Sequence, residues 1–477
     1  MVACACAIAG CGDDDGATAG DAGNRDAGAV ALDGGGVDGG GADAGGGDVD
    51  AGDVDAGRGS ACALPEAPDV GATYDRTLYV ATTGSDSSDG SMGSPLATIG
   101  AAARLATPGT RILVRAGTYA GGIFLDPLQG EAGRPIKIEG EAGAIIDGAG
   151  DDEVMHMSDP RYVVLENLEL RGSMVNGLNI DDAGTFDTPA DYVVMRNLHV
   201  HDIGTGGNND CIKLSGVDHF FVLGSEISGC NAGDMIDQVG CHDGLISGNF
   251  FHDSPGSGGI QMKGGSSGTL VHGNRFVDVA GRSINAGGST GLAFFRPIDA
   301  TFEAAQLRII ANVFVRSGAS SGAPVAFVGC DACVFANNTV VEPQTWVARI
   351  LQESTDARFV PSRNGLFVNN VIVFRMADLR TFVNVGPSTA PGTFTFGSNL
   401  WYALDTPGFA GPTYTDGIPP ESMSVIQMDP MFAGASDYHV AATSPAHAAG
   451  RVVAGGLPPD FDSHCYLSPP TLGAFEP

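Results

Sequence analysis

Lys263 and Arg282 are the residues of this chain best suited to proton-transfer chemistry. A lysine pushed toward neutrality by burial or neighbouring cations can remove a weakly acidic C–H proton, and an arginine can neutralise the carboxylate that makes that proton acidic. Lys263 closes Gly258-Gly259-Ile260-Gln261-Met262-Lys263, and Arg282 opens Arg282-Ser283-Ile284-Asn285. Two earlier segments align with these, Asn209-Asp210-Cys211-Ile212-Lys213-Leu214 and Gly233-Asp234-Met235-Ile236-Asp237-Gln238. Ile212, Ile236, Ile260 and Ile284 then fall at a constant step of 24 residues. Side chains alternate along a strand, so an inward Ile column implies an outward column one residue on: Lys213, Asp237, Gln261, Asn285. Lys213, Gln261 and Asn285 are expected to bind substrate there. Asp210, Asp234 and Asp237 offer oxygens on rungs about 4.8 Å apart and could hold Ca²⁺, although a Lys213–Asp237 ladder ion pair is the simpler use of that column.

Such a column requires a repeat architecture in which each copy buries its apolar face only against its neighbours. A second register supports it. Asn followed two places later by an apolar residue recurs at Asn249, Asn274, Asn312, Asn338 and Asn370, with Asn197 (and Asn167) opening the series in a shifted form and Ser225 substituting once. Stacked Asn side chains bond up the column, so this ladder is expected to be structural. The longest step, Asn274 to Asn312, holds the excursion Gly287 to Pro297. Its Phe294, Phe295 and Arg296 either roof a groove, with Arg296 on substrate, or pack back onto the coil.

Composition narrows the function. The chain has 477 residues, 72 glycines and a formal charge of −32, of which residues 1–60 carry −10. A body near −22 repels nucleic acid and anionic surfaces, and repels polyuronates too unless a local basic patch or a cation intervenes. Two of the three lysines, Lys213 and Lys263, stand in the central repeats. Ile8-Ala9-Gly10-Cys11 has the form of a lipobox, so residues 1–11 read as the remnant of an export signal with Cys11 lipidated. Residues 12–65, rich in Gly, Ala and Asp, read as a disordered tether. The protein is therefore expected to be exported, either lipid-anchored to the cell envelope (the outer membrane) or extracellular, and monomeric. Seven cysteines remain beyond that segment, an odd number, and Cys330-Asp-Ala-Cys333 is read as a local disulfide or two thiols rather than zinc.

Order begins near Thr77-Leu78-Tyr79-Val80-Ala81, followed by an amphipathic run ending at Leu105 and a strand Arg111–Tyr119. This strand–helix–strand opening, the central repeats and the closing Leu472-Gly473-Ala474-Phe475 resemble secreted right-handed parallel β-helix proteins of the pectin-lyase-like superfamily. The resemblance implies an all-β solenoid over residues 70–477: cap and first coils at 70–150, central coils at 151–420 and a closing segment at 421–477. It implies a carbohydrate-active surface protein whose partner is a polysaccharide. A Lys and an Arg on successive coils resemble the pair of chondroitinase-B-like and alginate lyases, implying β-elimination of a uronate glycan. Those enzymes carry a carboxylate-rich strand where this chain has Gly258-Gly259. Asp residues beside a Lys resemble the calcium-plus-lysine arrangement of another pectate lyase family. The Gly-His-Gly turn and Arg-Ile-Lys strand of polygalacturonase-like hydrolases are absent, and Asp181-Asp182 reads as a turn. The competing class is a non-catalytic glycan-binding or adhesion scaffold. His201-Asp202, His242-Asp243 and His252-Asp253, and formal Gly-x-Ser-x-Gly matches such as the one at Ser266, read as structural in so glycine-rich a chain.

Overall fold

A computed structural model describes residues 62–204, 209–255, 258–414 and 416–477. The lipobox with Cys11, the tether as far as Ala61, and Ser257 of the third repeat lie outside the described residues. Cys62–Pro477 forms one compact unit. Its strands wind into a single right-handed parallel β-helix, each coil giving one short strand to each of three sheets. Among the described residues these sheets have ten, twelve and thirteen strands, and every ladder between the named strands is parallel.

The repeat dictates this winding. Ile212, Ile236, Ile260 and Ile284 pair in register and are fully buried. Phe251, Phe276 and Phe314 stack inside with centroids 4.7 and 4.8 Å apart, and Phe335, Phe367 and Phe396 continue the stacking toward the C-terminal coils. The helix Ile99–Leu105, capped by the Thr98 hydroxyl, buries Ile99 and Ala101–Ala103 against the first coil and covers the open end of the core. The expected strand Arg111–Tyr119 is two strands, Thr110–Val114 and Gly117–Ala120, in different sheets, because the chain turns a corner at Arg115-Ala116.

The asparagine ladder is longer than expected at one end and shorter at the other. Asn249, Asn274, Asn312, Asn338, Asn370 and Asn399 are buried; from Asn274 on, each Oδ1 accepts the backbone N–H and Nδ2 of the Asn one coil before, and Asn249 Oδ1 accepts the Ser225 N–H. Asn197 is not part of it. It is exposed at φ +51°, its side chain donating to Asn167 Oδ1, and Leu198 takes the ladder position above Ser225. An Asn tolerates the left-handed conformation that the corner requires, which explains the type without the ladder.

The last named strand is Val425–Ile426, and the following residues do not close another coil. They run back along the outside of the solenoid. Phe475 and Tyr438 pack on Val313 and Val315, Thr471 accepts from Asn337, and Pro459 accepts from His272. At the other end of the chain, Ala67 packs on Val164 and Val194, and Asp69 forms a bidentate pair with Arg196. A Cys62–Cys465 disulfide ties the two outer segments together. Cys211–Cys230 and Cys330–Cys333 are also bridged, which leaves Cys241 as the unpaired thiol among the described residues.

Candidate functional site

The outward column stands in register along the ten-stranded sheet: Lys213 opposite Asp237, Asp237 opposite Gln261, Gln261 opposite Asn285. It continues upstream through Asn179 to His156 and downstream through Ala326 to Arg349. A second column precedes it, running Asn176, Asp210, Asp234, Gly258, Arg282 by successive backbone bonds. Gly258 is a steric necessity: a Cβ there would lie 2.2 Å from Asp234 Oδ1. Gly258 therefore makes room for the aspartate one coil earlier.

The two columns interlock. Lys213 Nζ donates to Asp210 Oδ2 at 3.2 Å and to Asp237 Oδ2. Lys263 Nζ lies 3.8 Å from the same Asp237 oxygen. Gln261 donates to Asp237 Oδ1 (3.3 Å), Asn285 to Gln261 Oε1 (2.6 Å), and Arg282 to Asn285 Oδ1 (3.0 Å) and Glu353 Oε1 (2.6 Å). Lys263 and Arg282 thus sit at the two ends of one continuous chain of polar contacts. Their accessibilities differ: the Lys263 side chain is 5% exposed and that of Arg282 22%.

Burial and crowded charge set the protonation states. Burial raises the Asp210 carboxyl above its usual range. Burial would raise Asp237 as well, but Lys213 and Lys263 outweigh it and hold this carboxyl low. Asp234 is pushed up to about 8, by burial first and then by the charges of Asp210 and Asp237. Lys213 is held protonated: burial disfavours the ammonium, but Asp237 and Asp210 more than compensate. It is a fixed cation, not a base.

Three carboxylates on adjacent coils have the oxygen chemistry of a calcium site. The oxygens of Asp210 and Asp237 are already engaged. Asp210 Oδ1 accepts the Asp234 N–H and Oδ2 accepts Lys213, while Asp237 serves Gln261, Lys213 and Lys263. A Ca²⁺ ion held by Asp210, Asp234 and Asp237 would have to displace Lys213, which supplies the counter-charge in this arrangement.

The excursion after Gly287 packs back onto the coil. Its start requires glycine, since a Cβ on Gly287 (φ +108°) would fall 1.7 Å from the Val328 carbonyl oxygen. The register slips by one residue between Gln261 and Met262 at this point, a bulge that aims the chain outward. Buried Glu303 then gathers the Gly264 N–H, the Thr290 N–H and hydroxyl, and the Ser354 hydroxyl. Arg296, expected to meet substrate, is 8% exposed and forms a bidentate pair with buried Asp182 at 2.5 and 2.9 Å. It lies across Gly216 and Gly240, beyond the strand ends. Asp181-Asp182 does open a turn, with the Thr185 N–H on the Asp182 carbonyl and the Ala183 and Gly184 N–H groups on the two carboxylates, but each side chain has a further partner: Asp181 ends a strand and binds His156, and Asp182 anchors the excursion.

Sequence reasoning missed three participants. His156 lies between Glu153 (3.0 Å) and Asp181 (2.8 Å); burial alone would lower it, but these carboxylates carry it up to about 9. Extending the outward column through irregular spacings would have found it. Glu303 and Glu353 left no signal, because both lie in irregular segments outside every repeat column. The nucleophile candidates are spent on structure: Ser266 donates to the Lys263 carbonyl, and burial pushes the Cys241 thiol up to about 12.

No family model matches the sequence, and neither does any curated protein. Among solved structures, the pectate lyase Pel9A matches over 85% of this chain and 97% of its own, with a TM-score of 0.55 and 17% identity. An alginate lyase from Paenibacillus sp. str. FPU-7 matches over 68% of this chain and 97% of its own (TM-score 0.39, 18% identity). A lacto-N-biosidase from Eubacterium ramulus matches over 69% of this chain and 68% of its own (TM-score 0.43, 15% identity). At these identities the likeness is one of fold.

Proposed function

We propose that this protein binds a uronate-containing polysaccharide along the outward columns of the ten-stranded sheet and cleaves it by β-elimination. The observation that carries the reading is the unbroken series Arg282–Asn285–Gln261–Asp237–Lys263, which holds a guanidinium and an amine on one polar face. Arg282, the more accessible of the two, takes the uronate carboxylate, with Gln261 and Asn285 on neighbouring hydroxyls and Lys213 as a fixed positive charge beneath. Lys263, as the neutral amine left after it has released its own proton to solvent, accepts the C5 proton. The C5–H electron pair becomes the C4=C5 double bond, the C4–O4 bond breaks, and O4 leaves with a proton from water. The step balances without an added oxidant or metal. Calcium would have to displace Lys213 from Asp210 and Asp237, so the proposed reaction is calcium-independent.

A second reading, a non-catalytic glycan-binding scaffold, is favoured by the near-complete burial of Lys263 and by the acidic body. We read the protein in either case as exported, since three cystine bridges belong to oxidising compartments, and as anchored through Cys11. Incubation with pectate, alginate and glycosaminoglycans, followed by ultraviolet absorbance of unsaturated ends, separates the two. The lyase reading expects product in chelator that Lys263→Ala abolishes, a loss of at least about 10²-fold for a general base. Activity that needs added calcium would return the three aspartates to metal binding. Absence of unsaturated ends from every uronan, with calcium and without, leaves the scaffold.

A further inference from the structure

The His-Asp pairs of the sequence acquire partners on a different sheet, away from the glycan columns. Glu169, His199 and Glu226 face one another in register on three successive strands of the twelve-stranded sheet, with His201 two residues after His199. His201 Nε2 lies 3.3 Å from Glu169 Oε1, and its Nδ1 lies 2.8 Å from Asp202 Oδ2. The His199 and His201 rings stack with centroids 4.1 Å apart. One ligand atom from each of Glu169, His199 and His201 falls within 4.8 Å of the others, and His199 Nε2 is 4.0 Å from Glu226 Oε1.

We propose that Glu169, His199 and His201 form a binding site for a Zn²⁺-class divalent ion that joins two consecutive coils. Two imidazoles and a carboxylate are the donor set of such ions. With metal–ligand bonds near 2.0–2.1 Å, tetrahedral ligands stand roughly 3.3 Å apart, the separation already present between His201 and Glu169. Asp202 fixes the His201 ring through the nitrogen opposite the metal, as an orienting carboxylate does in metal sites. The acidic body raises the local concentration of cations. Arg171 donates to the same Glu169 oxygen and also binds Asp147, so metal entry competes with a guanidinium that has a second partner. The same constellation recurs downstream, where His252 Nε2 lies 3.1 Å from Glu226 and Nδ1 2.8 Å from Asp253, but a Phe250 ring stands where a second imidazole would be needed. By contrast, His242 bonds Asp218 and not its sequence neighbour Asp243, and has no such role.

The test is titration of the metal-free full chain with Zn²⁺ against a chromophoric competitor, and with Co²⁺ to read coordination by its visible absorption. One equivalent should bind with micromolar or tighter affinity, give the intense bands of tetrahedral Co²⁺, and raise the melting temperature reversibly with chelator. His201→Gln and His199→Gln should each weaken binding at least tenfold. His252→Gln should leave it within about twofold, with melting temperatures of the metal-free variants confirming that each folds. Binding no tighter in the wild type than in the His199→Gln/His201→Gln double variant overturns the site. So does binding that His252→Gln alone removes, or octahedral Co²⁺ spectra with unchanged affinity in every variant.

Discussion

At the scale of single residues, the site is a problem in charge accounting. Asp210, Asp234 and Asp237 stand on adjacent coils, and two of them are satisfied by lysines that arrive from their own strand or the next. Asp234 is left with a raised carboxyl near 8. Because that value lies above the unfolded one of about 3.8, its contribution is fully present below pH 4 and is lost as pH rises through 8. Wild-type melting temperature should therefore fall between pH 5 and 8.5. Asp234→Asn should flatten that slope and equal or exceed the wild type at pH 8.5. A wild-type slope that survives in Asp234→Asn would show that other groups set it. Lys263→Ala carries the opposite expectation: loss of product formation without this pH signature.

At the scale of elements, the buried ladder and its shifted neighbours can be told apart by mutation. Asn312 Oδ1 accepts the Asn274 N–H and side chain, and its Nδ2 donates to Val271 and Ile310 carbonyls and to Asn338. Asn312→Ala leaves several buried groups unpaired and should cost about 3 kcal/mol in denaturant unfolding. Asn197→Gly, at an exposed left-handed position, should stay within about 0.5 kcal/mol. Equal effects would erase the distinction. The ladder was legible in sequence wherever Asn-x-apolar recurred, and it misled at Asn197 because corner and ladder sites sit one residue apart and both favour Asn. The excursion was legible as an insertion but not in direction. Nothing local says that Arg296 reaches Asp182, 114 residues earlier.

At the scale of the whole molecule, the solenoid is held at its outside as well as its core. The C-terminal segment crosses several coils, and Cys62–Cys465 links it to the N-terminal segment across 403 residues of sequence. Cys465→Ser should lower stability by about 2–5 kcal/mol and make residues after Ile426 the first site of limited proteolysis. Unchanged proteolysis would mean that Phe475, Tyr438 and the Asn337 and Asn369 contacts suffice by themselves. The net charge also acts at this scale. A body of −22 opposes polyuronate approach, but its charges farther than a Debye length of about 8 Å from the site are largely screened, so binding should depend on Lys213 and Arg282 locally and weaken little with salt.

The sequence by itself determined the winding: a constant step of 24 residues with Ile inward forces parallel strands into register, so Lys213, Asp237, Gln261 and Asn285 had to stand side by side. It could also place a short helix over one end, because amphipathic period and capping are local. Only the tertiary structure decided what those side chains do, since hydrogen bonds between coils depend on three-dimensional reach and not on spacing. Lys213 paired with Asp210 and Asp237, Gly258 yielded its volume to Asp234, Arg296 turned back to Asp182, and His201 found Glu169 one coil away. Each of those outcomes is a competition among neighbours for the same few oxygens, and the neighbours exist only after the chain has wound.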